Sequence, residues 1–304
     1  MAETPPWLTE TLESCDSNLS IYTSPFKDEQ GNCNLRVWQI NRGQHFHLRY
    51  NDDTQFFVDR KGTEIWAIWP DNLTLEDTAT YLLGPILGFV LRLRGTVCLH
   101  ASAIAIEGKA IALVGRSEAG KSTTAAAFAQ RGYSVLSEDV VALVDRTDGF
   151  LVEPAYPRIR LWDSSVRSLY GTPEHLPRIV PSHPTWDKRY LDLTQTGDRF
   201  QKEPLPLVGI YYLDLRSNNS DCPRIEPIPT QSQLMTLVSN TYTNYLLNKQ
   251  QRAQEFEVLS RLVKQVPVRQ IIPHADIDKL PHLLDTILED FRTTVLPHAL
   301  SSHA

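Results

Sequence analysis

Ala110-Ile111-Ala112-Leu113-Val114-Gly115-Arg116-Ser117-Glu118-Ala119-Gly120-Lys121-Ser122 passes from an apolar strand into a Gly-rich loop, and the Ala-rich run Lys121–Gln130 then carries it into a helix. Gly115 to Ser122 fits GxxxxGK[ST] at every fixed position. A chance match in a chain of this length has a probability on the order of one per cent at average residue usage, so a plain turn is the weaker reading. Glycines let the backbone wrap an anion without Cβ obstruction. The loop amides and the helix N-terminus together make a concave positive site for phosphate. The phosphate-binding candidates are therefore Gly115, Ser117, Ala119, Gly120, Lys121, Ser122 and Thr123. Lys121 is expected to reach the β- and γ-phosphates of a nucleoside triphosphate, and the Ser122 hydroxyl to meet Mg²⁺. Glu118 departs from the pattern: a carboxylate inside the cradle repels phosphate unless it faces outward or pairs with Arg116.

Working outward, Val97–Ile106 and Glu107-Gly108-Lys109 form a strand and turn before the loop strand, and Arg131-Gly132 follows the helix. A strand at Ser134–Leu136 then delivers Ser137-Glu138-Asp139, and Val140–Val144 reads as another. This strand, loop and helix order is that of a phosphate-binding α/β unit. Glu153 to about Pro206 is rich in Pro and Arg and reads as loop. Leu207–Leu215 is an expected core strand, Gln231–Val263 a helical region, Val266–Ile272 a strand and Asp276–Thr293 a final helix. Upstream, Leu35–Ile40, His45–Tyr50, Gln55–Asp59 and Glu64–Trp69 are short runs parted by turn signals, which predicts an antiparallel meander. Thr74 is an expected N-cap, with Glu76 and Asp77 in the first turn of a helical segment to about Arg94. The expected domains are residues 1–95, β-rich and ending in a helix, and residues 96–304, which carry the loop.

Bulk properties limit the function classes. The 304 residues are 41% hydrophobic and 22% charged, an ordinary globular composition. A net charge of −6 gives no global field for nucleic acid or an anionic membrane, so neither is an expected partner. Cys15, Cys33, Cys98 and Cys222 are scattered, without a CxxC pair, as free thiols in a reducing compartment would be. The N-terminus carries acids and prolines in place of a basic then apolar leader, and the apolar run Tyr81–Leu93 is too short to span a membrane. The expected localisation is cytoplasmic.

Glu138 and Asp139, read as lying at the end of a strand after the loop helix, suit a Mg²⁺ ion and an attacking hydroxyl. His100, on the strand before the loop strand, is by itself a structural group as readily as a catalytic one. The run Leu99–Leu143 nevertheless resembles the catalytic domain of HPr kinase/phosphorylase, with its Leu-His pair, short hairpin, P-loop, Arg131-Gly132 and paired acids in that order. The resemblance implies an α/β fold: a P-loop kinase domain of the HPr kinase/PEP carboxykinase type with a mixed sheet, here preceded by a small β-rich domain. It implies ATP and Mg²⁺ as cofactors and a serine hydroxyl as acceptor. Carried over, Lys121 and Ser122 bind phosphate and metal, Glu138 takes the place of the proton-handling Asp, Asp139 that of the metal-associated Asp, and His100 that of the active-site His. The family's Ile-Arg-Gly-Leu-Gly and Gly-Arg-Asn segments are not found, so HPr itself is not the expected acceptor. A homo-oligomer is an expectation by analogy with the family's ring-like assemblies.

In place of those segments stands Glu153-Pro154-Ala155-Tyr156-Pro157-Arg158-Ile159-Arg160-Leu161-Trp162, which resembles a group of HPr-kinase-like proteins, some of which phosphorylate a peptide serine. Arg158 and Arg160 suit a bidentate clamp on phosphate or carboxylate, or are surface charges. Lys188 and Arg189 are a second basic pair. Arg160 is grouped with His100, Lys121, Glu138 and Asp139 as catalytic candidates, although spacing does not choose among the four basic residues. His45 and His47 share a strand face but lack a third ligand, so they read as strand surface. Trp66, Trp69, Phe56 and Phe57 read as N-terminal core.

Together these readings predict an ATP-dependent kinase acting on a serine or similar hydroxyl of a peptide, protein or small molecule. Two alternatives stay open: a non-catalytic nucleotide-binding regulator or scaffold, and phosphate-releasing chemistry run in reverse, which would depend on inorganic phosphate.

Overall fold

The structure, a computed structural model, describes residues 20–301 except Pro184 and Thr196. Cys15, with the rest of residues 1–19 of the first expected domain, and residues 302–304 of the second lie outside the described residues. The chain divides into two compact units, one of residues up to Gly95 with Thr243–Leu247, the other of Thr96–Tyr242 and Asn248 onward. Nothing in the sequence marks Thr243–Leu247 as part of the first unit.

The first unit holds the expected four-strand meander with one further short strand, not expected from the sequence, ahead of it. Strands β1 (Tyr22–Thr23), β2 (Leu35–Ile40), β3 (His45–Tyr50), β4 (Gln55–Asp59) and β5 (Ile65–Ile68) pair in that order, each antiparallel to the next. One sheet face buries Val37, Leu48, Phe56 and Val58 against Ile86, Phe89 and Val90 of a helical segment. That segment joins α1 (Leu75–Tyr81) to α2 (Leu87–Leu93) through a π turn at Leu82–Ile86, which contains Pro85. Proline has no N–H to donate, and a widened turn is one way a helix absorbs the loss. Thr74 caps α1 in a reciprocal box with Asp77: the Asp77 N–H donates to the Thr74 hydroxyl at 3.3 Å, and the Thr74 N–H to the Asp77 carboxylate at 2.8 Å.

The surface reading of His47 is corrected. Its ring stacks between Trp38 and Phe57, at centroid distances of 5.0 and 4.5 Å, and its Nε2–H donates to Gln55 Oε1 at 2.8 Å. Burial, reinforced by Arg49 and opposed by the Gln55 bond, pushes its pKa down to about 4. The folded chain thus holds a neutral imidazole while the unfolded chain takes up a proton near the ordinary value of about 6.5. This contribution is complete above pH ~6.5 and is lost as the pH falls towards about 4. At full loss it is worth roughly 3 kcal/mol. Urea unfolding followed by Trp fluorescence between pH 7 and 4 is expected to show this decline, flattened in His47→Gln.

The second unit is built on a mixed seven-stranded sheet of order β13-β14-β12-β7-β6-β8-β9. These strands are β6 (Val97–Ile106), β7 (Lys109–Gly115), β8 (Ser134–Arg146), β9 (Gly149–Val152), β12 (Leu205–Leu213), β13 (Arg224–Pro227) and β14 (Val268–Ile272). β12 runs parallel to β7 and β14, whereas β6 is antiparallel to β7 and β8. Alternation along β6 sends Leu99, Ala101 and Ala103 to one core and Ile104 and Ile106 to the other. The first core is closed by α5 (Thr230–Ser239) and α6 (Lys249–Gln265). The second is closed by α3 (Lys121–Gln130) and α7 (Leu280–Asp290), with a short helix α8 (Leu296–Ser301) after it. α3 is buried over most of its circumference, so its alanines allow close approach to the sheet.

Three sequence expectations change here. Glu138 and Asp139 do not end a strand: β8 runs 13 residues through both. The expected loop at 153–206 holds a hairpin, β10 (Arg158–Trp162) paired antiparallel with β11 (Lys188–Asp192), and a helix α4 (Asp163–Tyr170). The helical region 231–263 is two helices, because Asn248 caps α6 in a box with Gln251. No helix among the described residues is long and apolar enough to cross a membrane. Among the described residues, Cys33, Cys98 and Cys222 form no disulfide with one another.

Candidate active site

β7 ends on Gly115, where φ is +155° and a Cβ would stand 2.7 Å from the Leu213 carbonyl oxygen, so glycine alone fits. The loop turns through Glu118 at φ +65° and Gly120 at φ +105°, and α3 begins at Lys121. Glu118 is exposed, and it lines the cleft beside Ser117. Lys121 is buried and folded back over its own loop, its Nζ donating to the carbonyls of Gly115 at 2.8 Å and Arg116 at 3.0 Å. Burial lowers its pKa, and the acids Asp139 and Glu138 oppose that shift.

Across the loop lie the two acids of β8. In a regular strand, neighbouring side chains point to opposite faces. Asp139 has φ +73°, and this local departure lets both carboxylates meet Arg160 of β10. Glu138 accepts from the Ser122 hydroxyl at 2.7 Å and lies 3.5 Å from Arg160 Nε. Asp139 accepts from Arg160 Nη2 at 2.5 Å and the Tyr242 hydroxyl at 2.8 Å, and lies 3.4 Å from His100 Nε2. Burial raises the Glu138 pKa against the pull of Arg160. At Asp139 burial acts the same way, but Arg160, His100 and the Tyr242 bond outweigh it and hold the carboxylate ionised. Burial, then the Lys121 charge, lowers the His100 pKa, and the Asp139 charge opposes that shift.

A cleft of about 620 Å³ opens between these groups. His100, Ser117, Gly120, Lys121, Ser122, Thr123, Glu138, Asp139 and Arg160 all line it. Of the remaining phosphate candidates, Ala119 lines smaller adjoining pockets, while Gly115 shapes the loop from beneath.

Strand alternation sorts the four basic residues. Arg158, Arg160 and Lys188 share one face of the β10–β11 hairpin, and Arg189 takes the other. Arg189 is engaged by Asp187 at 2.9 Å and the Leu176 carbonyl at 2.9 Å. Arg158 stacks on Tyr190, 4.3 Å from the ring centroid. Arg160 and Lys188 alone of the four line the cleft, Lys188 lying 5.1 Å over the Trp162 ring.

No family model matches the chain, and no curated protein matches it. Among solved structures, the Hpr(Ser) kinase/phosphatase from Coxiella burnetii is similar at 15% identity and a TM-score of 0.38, covering 68% of this chain and 96% of that one. That is a distant likeness of fold, and function rests on the site itself.

Several site residues had no signal in the sequence. Arg216, just past β12, reaches the cleft because β12 runs parallel to β7 and ends beside the loop. Its guanidinium is close enough that a Cβ on Gly120 would stand 3.2 Å from it. Among the described residues Arg216 forms no ion pair. Tyr242 and Asn240, whose Oδ1 accepts from the Gly115 N–H at 3.1 Å, come from the connection between α5 and α6. Ser165 of α4 ties to Thr123 of α3 at 2.8 Å, which fixes the hairpin side of the cleft to the loop helix.

Proposed function

We propose that this chain is a P-loop phosphotransferase of the HPr kinase type, which binds Mg-ATP at Gly115–Thr123 and passes the γ-phosphoryl group to an acceptor hydroxyl. The acceptor is a serine or similar alcohol on a peptide, protein or small molecule. One observation carries the reading: a lysine-bearing Gly loop at the start of a buried helix faces a Ser122–Glu138 pair and an Asp139–Arg160 pair across one cleft.

The loop amides and Lys121 bind the phosphates, and Arg216 and Lys188 add positive charge on the cleft wall. Glu138, with its raised proton affinity, accepts the hydroxyl proton as the acceptor attacks. Asp139 stays ionised, and His100 beside it orients the acceptor. The donor set offered to a cation is the Ser122 hydroxyl and the two carboxylates, all oxygen, which suits Mg²⁺ completed by phosphate oxygens and water. When bound, Mg²⁺ supplies charge neutralisation on the β- and γ-phosphates.

The position of Arg160, bonded to both acids, favours a second reading in which nucleotide binds without turnover. γ-Labelled ATP incubated with free serine, seryl peptides and small alcohols separates the two. The kinase reading expects label on the acceptor oxygen. Normal nucleotide binding with no labelled product across the acceptor set selects the non-catalytic reading.

A further inference from the structure

β7 leaves the sheet at Gly115 to become the loop, and its last pairing with β6 is Val114 opposite Ala101. β6 extends beyond that point, from His100 back to Val97, and keeps only β8 as a named strand partner there. The flank that β7 vacates is filled by Asn240–Tyr242. The His100 N–H donates to the Asn240 carbonyl at 2.8 Å, the Tyr242 N–H donates to the Cys98 carbonyl at 2.8 Å, and Leu99 faces Thr241 in an antiparallel bridge. Three residues thus replace a missing strand and satisfy backbone groups that would otherwise be buried without partners.

The side chains of this segment reach both halves of the site. Asn240 is buried, and its amide is oriented by its neighbours: the Gly115 N–H needs an oxygen, while the Thr236 carbonyl, 2.8 Å from Nδ2, needs a donor. The bond to Gly115 fixes the residue from which the loop departs. Two residues later the Tyr242 hydroxyl donates to Asp139 Oδ2, with its ring edge-on to His100 at 5.7 Å. Thr241, between them, faces away to Glu255 Oε1 at 3.3 Å and the Val238 carbonyl at 2.9 Å.

We infer that Asn240 and Tyr242 are positioning residues for phosphoryl transfer: Asn240 sets the path of the phosphate loop, and Tyr242 sets the direction of the Asp139 carboxylate. The inference rests on the phosphotransferase reading, and it assigns the two residues separable effects. Loss of Asn240 leaves a buried N–H at Gly115 unpaired and loosens the cradle, so nucleotide affinity suffers. Loss of the Tyr242 hydroxyl leaves the cradle intact but frees the Asp139 carboxylate to rotate about its bond to Arg160, so the transfer step suffers. Thr241 is the internal control, because it shares the segment and touches neither half.

The test compares Asn240→Ala, Tyr242→Phe and Thr241→Val with the wild type by three measurements. These are amide exchange of residues 113–121 without nucleotide, Mg-ATP affinity by calorimetry, and the rate of γ-phosphoryl release from bound ATP to acceptor or water. Asn240→Ala is expected to speed exchange in the loop and weaken Mg-ATP binding, each about tenfold. Tyr242→Phe is expected to keep affinity within about twofold and slow release about tenfold. Thr241→Val is expected to lower the melting temperature alone. If Asn240→Ala and Tyr242→Phe match Thr241→Val, or if both lose affinity and rate together in step with stability, the positioning assignment is overturned. A wild type that binds no Mg-ATP removes the phosphotransferase reading instead, and loop exchange in Asn240→Ala then still decides whether Asn240 holds the loop.

Discussion

Glu138→Gln is expected to slow phosphoryl transfer by about 10²- to 10⁴-fold, the usual worth of a positioned general base, while Mg-ATP still binds. The side chain keeps its size, and its amide oxygen can still accept from the Ser122 hydroxyl, which donates to Glu138 at 2.7 Å. Proton affinity is what the substitution removes. In the wild type, burial raises that affinity above the ordinary carboxylate value, and Arg160 only partly offsets it. Asp139 cannot substitute, because Arg160, His100 and Tyr242 hold it ionised. Single-turnover transfer of labelled phosphate, read beside calorimetric binding, separates the two quantities. Equal rates in wild type and variant would place the proton elsewhere, and loss of binding in step with rate would make Glu138 a ligand-binding group only.

Lys121→Met is expected to weaken Mg-ATP binding by at least about 100-fold, or about 2.7 kcal/mol, with little loss of fold stability. The two effects diverge because the ammonium is buried. Its burial is the largest influence on its pKa and acts against the charged form, so in the ligand-free chain the charge is a burden offset by the Gly115 and Arg116 carbonyls and the nearby acids. Met fills similar volume without the charge. Only the triphosphate, with several negative oxygens, draws full benefit from the lysine. Thermal unfolding of Lys121→Met within a few degrees of wild type, alongside the lost affinity, is the expected pairing. A large drop in melting temperature would recast Lys121 as a structural residue.

What the sequence disclosed, and what it did not, follows from how local each constraint is. The loop was legible because its backbone leaves no choice: Gly115 abuts the Leu213 carbonyl and Gly120 takes φ +105°, so both glycines show in the sequence. The Thr74 N-cap and the meander were legible for the same reason, since partners lie within a few residues of one another, although the reciprocal bond from Asp77 was not read. The acids were located but misplaced in the strand, because Ser137-Glu138-Asp139 interrupts the apolar pattern and a left-handed Asp139 leaves no mark in composition. The β10–β11 hairpin was hidden by prolines and by the long separation of its strands, and with it the reason Arg160 and Lys188 face the cleft while Arg158 and Arg189 do not. Arg216, Asn240 and Tyr242 depend on tertiary pairing alone: one on the parallel register of β12, the others on the flank that β7 vacates. Such residues have no signature until the sheet order is known.

The most direct test is a crystal structure of the chain with Mg²⁺ and a non-hydrolysable ATP analogue. It is expected to show the β- and γ-phosphates within about 3 Å of Lys121 Nζ and the loop amides, with the cation between the Ser122 hydroxyl, the acids and the γ-phosphate. A triphosphate bound away from Gly115–Ser122, or one lying in the loop with its γ-phosphate turned from Glu138 and Asp139, would contradict the account.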